Sequence, residues 1–185
     1  LIEVPQDDQF IGHLSDHVDA LGYDLLLLNA SNDFGVPVVA SALLCRDRES
    51  IAPQAFFAAG AHPDPREAVR SAVVEAVVNL LISTDLAVSR PSTYDRSRLR
   101  PMLDDPDLVL TPEDHTALYT LPESRARYGF LLGDGTPAKP WSEHWPDLPQ
   151  PHPDLGQLVA QLAARAADSG MDVIVVDQTD PIVRD

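Results

Sequence analysis

Gly60-Ala61-His62-Pro63-Asp64-Pro65-Arg66-Glu67 runs directly into Ala68-Val69-Arg70-Ser71-Ala72-Val73-Val74-Glu75-Ala76-Val77-Val78-Asn79. The junction predicts a helix from 65 to about 83. Asp64 is a good N-cap, Pro65 suits the first helical position, and Glu67 has the spacing of a capping box. At about 100° per residue, Ala68, Val69, Ala72, Val73, Ala76, Val77 and Leu80 fill one face. Glu75 falls about 80° from Glu67, beside that stripe rather than opposite it. Held near a core, such a carboxylate needs a cation, a metal or a hydrogen-bond donor. A salt bridge or plain exposure is the simpler outcome. Val74 and Val78 stand on the nominally polar face, so that face is expected to be covered at least in part, by a pocket wall or by further packing.

Outward from this helix, the chain carries an internal echo. Leu21-Gly22-Tyr23-Asp24-Leu25-Leu26-Leu27-Leu28-Asn29-Ala30-Ser31 is similar to Ser169-Gly170-Met171-Asp172-Val173-Ile174-Val175-Val176-Asp177-Gln178-Thr179. Each copy follows a helical pattern, about 8–21 and 154–168, with Gly at the helix exit. Apolar runs of this length read as buried strands. Further strands are expected over 36–46 and 54–59. The fold class is α+β with an α/β-like character: a mixed sheet, packed helices and two helix–strand repeats. Eleven of the 17 prolines lie between Pro91 and Pro153, which marks a proline-rich excursion of loops and short helices. Thr111-Pro112-Glu113-Asp114 starts one of these helices. Leu1 is not a methionine and Asp185 follows a strand pattern, so both ends read as cut from a longer protein.

The composition narrows the classes of partner. The formal net charge of −16 argues against nucleic acid or an anionic membrane, since both favour a basic surface. It leaves room for a local phosphate pocket, with Arg66, Arg70, Arg125, Arg127 and Arg184 available. Cys45 alone gives no disulfide frame and no cysteine-based zinc site; within its apolar run it reads as a buried, inert thiol. No signal peptide is evident and no apolar run reads as long enough to span a bilayer, which points to the cytoplasm. Gly133 to Lys139 lacks the Gly-Lys-Ser/Thr of a phosphate loop and contains Pro137, so it reads as a turn. His115 and Tyr119 stand one helical turn apart and suit stacking. Trp141 and Trp145 suit anchoring a loop to the core. No Gly-x-Ser-x-Gly elbow supports a hydrolase.

The spacing Gly-Ala-His-x-Asp-Pro, then Ala68, Ala72 and Glu75, resembles the YcaO family, as found in cyclodehydratases that make azolines in ribosomal peptides. Asn32-Asp33-Phe34-Gly35-Val36-Pro37-Val38-Val39, Glu113-Asp114-His115-x-x-x-Tyr119 and Val175-Val176-Asp177-Gln178-Thr179 follow in the family's order. The resemblance implies a partial domain over 1–185 and ATP-dependent cyclodehydration of Cys, Ser or Thr in a precursor peptide. It implies ATP and Mg2+, with Glu75 as the metal-binding carboxylate and with Glu67 and His62 as further nucleotide or metal contacts. Asp177, Thr179 and Asn79 are second-rank. The implied partners are the precursor peptide and a leader-binding or ubiquitin-activating-enzyme-like protein, with a homodimer left open. One departure stands out. Related heterocyclases often place Gln three positions after the helix glutamate, where this chain has Val78, which cannot hydrogen-bond a phosphate. The alternative is therefore a catalytically degenerate scaffold that binds a leader peptide or partner subunit.

Overall fold

Three apolar runs pair as β1 (Tyr23–Asn29), β2 (Val38–Cys45) and β3 (Ala55–Ala61), in the order β1-β2-β3. The computed structural model describes residues 1–32, 34–50, 52–132, 135, 137–146 and 154–177. Both pairings are antiparallel, with Leu25 opposite Leu43 and Val39 opposite Gly60. The expected mixed sheet is thus antiparallel throughout its described strands. Leu27, Val39, Leu43 and Phe56 face α1 (Gln9–Ala20) and α2 (Pro65–Ser89) and form the main core with them. On the opposite face, Leu26, Ala42, Leu44 and Phe57 pack under Tyr119, Tyr128, Leu131 and Leu132 of the proline-rich excursion. Burial on both faces is why the strands read as continuous apolar runs rather than as alternation.

α2 starts where Asp64 and Pro65 predict. Asp64 accepts the Arg66 N–H at 2.9 Å, and Pro65 takes the first turn. The capping box does not form: Glu67 turns to Arg70 at 3.1 Å, and the Asp64 N–H donates to His62 Nδ1 at 2.9 Å. An arginine one turn away outcompetes a backbone amide that already has a partner. The stripe from Ala68 to Leu80 is buried as expected. The helix continues to Ser89, six residues beyond the expected end. At 25 residues, with a mean hydropathy of 1.6 over its most apolar window, α2 is long and apolar enough to cross a membrane by length and composition. This corrects the sequence reading of its apolar runs, although here the helix lays its stripe on the sheet.

The excursion folds into single-turn helices, α3 (Arg96–Leu99) and α4 (Pro101–Asp104), then α5 (Pro112–Leu118), α6 (Arg125–Tyr128) and α7 (Trp141–His144). Leu99, Met102, Ala117, Leu118 and Leu121 give it a small core of its own. Thr111 and Asp114 form a reciprocal capping box at the start of α5. His115 and Tyr119 meet edge to face at 5.5 Å. Trp141 and Trp145 pack against the main core, and Trp145 Nε1 donates to Ser31 Oγ at 3.2 Å. Cys45, at the end of the central strand β2, is half-buried rather than enclosed.

The helix of the second repeat, α8 (Leu155–Asp168), is present, capped by Asp154. Gly22 and Gly170 occupy matching helix exits at φ 84° and 76°. Among the described residues the second repeat forms no strand of this sheet: 171–177 is exposed and carries no strand assignment. The expectation that both repeats feed one sheet is not met there. An apolar run supplies strand propensity, but a ladder also needs a partner strand brought alongside it.

Candidate functional site

α2 presents its outer face one turn at a time. Arg70 organises the first part. Its Nε donates to Asp8 Oδ2 at 2.7 Å while Nη1 holds Glu67. Asp8 also caps α1 through the Phe10 and Ile11 amides, so one arginine joins the starts of both long helices. The bond from Arg70, supported by the two amides, holds the Asp8 carboxyl below its usual range despite some desolvation. Glu67 is thus engaged. His62 is half-buried, its Nδ1 accepts the Asp64 N–H, and its own N–H donates to Pro37 O at 3.1 Å. Only Nε2 is left for another partner.

Glu75 is exposed, and it has neither a hydrogen bond nor an ion pair among the described residues. Val78, one turn on, is 44% exposed and Val74 is half-buried. The cover over these valines is thus partial, resting on Val74 more than on Val78. Asn79 follows Glu75 by one turn and is half-buried. It lines a cleft of about 270 Å³ between the second half of α2, β3 and α5, together with Phe57, Ser83, Tyr94, His115 and Tyr119. Burial raises the Tyr94 phenol above its usual pKa, against the opposing effect of its bond to Ser83. Among the described residues no lysine or arginine lines this cleft. Among the arginines named as phosphate contacts, Arg66 lies 5.0 Å from the Trp141 ring centre and Arg127 donates to Leu103 O at 2.6 Å. Asp177 is exposed in the segment after α8. Thr179 and Arg184 lie outside the described residues.

The structure therefore brings Glu75 and Asn79 onto consecutive turns, keeps Glu67 and His62 near the start of α2, and leaves Asp177 apart. Among the described residues no group of three His, Cys, Asp or Glu side chains could hold a metal ion. Magnesium is commonly held by one or two carboxylates together with phosphate oxygens and water. Glu75 fits one such carboxylate, being charged, accessible and uncommitted. It supplies one contact of a site rather than a whole one. Sequence reasoning missed Gly60 and Ser41, which lie beneath this part of the helix. Gly60 was visible in the motif, but what it makes room for depends on the packing of α2.

The fold of these residues is similar to part of solved heterocyclase structures. One similar solved structure is described as a heterocyclase in complex with substrate and cofactor, at a TM-score of 0.65 and 24% identity. Another is the heterocyclase TruD, at 0.57 and 19%. Each match covers 95% of this chain and 20% of the solved chain, so the 185 residues span about a fifth of the length of these structures. The chain belongs to the YcaO family, described as YcaO cyclodehydratase, ATP- and Mg2+-binding, which matches residues 1–184. No curated protein gives a significant match.

Proposed function

We propose that this chain is part of a longer YcaO domain, with a proline-rich insertion over about 91–153, and that the whole protein is an ATP-dependent peptide cyclodehydratase of the cytoplasm. Its substrate is a ribosomally made precursor peptide, delivered by a leader-binding or ubiquitin-activating-enzyme-like partner. The side chain of a substrate Cys, Ser or Thr, giving up its proton, attacks the preceding carbonyl carbon and closes the ring. The resulting oxyanion takes the terminal phosphoryl group of ATP, releasing ADP, and then departs as phosphate while the ring nitrogen loses its proton, leaving a thiazoline or oxazoline. In such transfers positioning and charge neutralisation carry the rate, and bound magnesium supplies part of that neutralisation. Glu75 is the residue of this chain assigned to hold the ion. Glu67 and His62 are assigned to orient the nucleotide, with Asn79, Asp177 and Thr179 in a lesser role.

The observation that carries this reading is an uncommitted carboxylate on the helix that bears the family motif. It gives the first prediction. Titrating the full-length protein with magnesium ATP raises its melting temperature, with about 2.7 kcal/mol of added stability at a hundred times Kd. Glu75→Gln abolishes that rise. Because Glu75 has no partner among the described residues, the same substitution leaves nucleotide-free stability within about 0.5 kcal/mol. A second reading, a degenerate scaffold for a leader peptide or partner subunit, is favoured by Val78 where related heterocyclases often carry Gln. Absence of any shift at saturating nucleotide supports the scaffold and overturns the enzyme.

A further inference from the structure

Two residues that touch no proposed ligand set how closely α2 approaches the sheet. Gly60, in β3, is buried. A Cβ placed on it would lie 2.3 Å from the Ala68 carbonyl oxygen, 2.8 Å from the Ala72 nitrogen and 2.8 Å from Ser71 Cβ. Two of these atoms are helix backbone and have no rotamer by which to retreat. Any side chain at position 60 therefore lifts the helix. Ser41, in β2, pulls the other way. It is fully buried, and its Oγ donates to the Ala72 carbonyl at 2.7 Å. A backbone carbonyl has two lone pairs, so it can accept this bond and still serve its own helix.

The register puts Val39 opposite Gly60 and Ser41 opposite Ala58. The two contacts thus lie on adjoining strands, two residues apart in register, and both fall on the single turn from Ala68 to Ala72. Glu75 follows Ala72 by three residues on the outer side. We infer that Gly60 and Ser41 are positioning residues, a gap and a tether that together fix the height of the Glu75 turn of α2 above the sheet. This inference rests on the proposed role of Glu75. An error of about 1 Å in placing a binding group can cost up to a hundredfold, so small movements of this turn are expected to register in nucleotide binding.

Calorimetric titration of the full-length protein with magnesium ATP tests the inference, with circular dichroism confirming a native fold for every variant. Gly60→Ala and Ser41→Ala are each expected to raise Kd on the order of tenfold. A residue acting only on stability would lower the melting temperature and leave Kd unchanged. Native variants with Kd within twofold of wild type overturn the inference. Should Gly60→Ala not fold, Ser41→Ala, which removes one hydroxyl without adding bulk, decides alone. Failure of the underlying reading shows separately, in the wild-type and Glu75→Gln titrations.

Discussion

Asp114 uses both carboxylate oxygens. Oδ1 takes Arg98 Nη1 at 2.6 Å, and Oδ2 takes the Thr111 N–H at 3.1 Å. The Arg98 bond first, then Thr111, holds this carboxyl below its usual range, as Arg70 does for Asp8. A carboxylate depressed in the folded state leaves the unfolded chain binding more protons at low pH. Its contribution is therefore complete above the ordinary carboxylate pKa, near 4, and is lost as pH falls through the lower folded value. Urea midpoints measured from pH 5 downward should fall, and Asp114→Asn should flatten that slope. Asp64→Ala should cost about 1 kcal/mol through the lost N-cap. At this scale the caps were legible, because Asp64 and Thr111 act on amides two or three residues away. The failed Glu67 box was not, since Arg70 one turn on competes for the carboxylate and His62 takes the Asp64 amide; for Glu75, exposure or a salt bridge was the simpler sequence reading, and exposure is what the structure shows.

Among the elements, α2 joins a buried stripe to an open outer face, and the two should respond differently to truncation. Leu80 is 1% exposed and Val88 81%. Leu80→Ala should cost about 2–5 kcal/mol in urea unfolding, while Val88→Ala stays within about 0.5 kcal/mol. The excursion has a separate small core around Leu118, so it should open more readily than the sheet. Hydrogen exchange in Leu118→Ala should speed up from α3 to α6 while β2 amides keep most of their protection. The stripe, the three strands and the short proline-led helices could be read from periodicity and punctuation. Strand direction could not, because an apolar run pairs equally well either way. The second repeat shows the same limit: its helix has a cap and an exit glycine within its own sequence, but its strand needs an edge elsewhere.

For the molecule as a whole, both faces of one small sheet are covered, by helices on one side and by the excursion on the other. The chain spans only a fifth of the length of the heterocyclase structures it resembles, and under the proposed reading the α2 carboxylate is one contact of a larger site. The family could be read from ordered fragments within these residues, whereas a full ligand set could not. The fold also has a practical consequence after α8. Val173, Ile174, Val175 and Val176 are 58–85% exposed, with neither charge nor proline among them. Short segments of this kind stack readily against one another. When the 185 residues are produced alone, light scattering should therefore grow with concentration, and Ile174→Lys should suppress it by acting as a gatekeeper against fibril-like zippers. Solubility of any shortened version would then hinge on where the cut falls relative to Gly170.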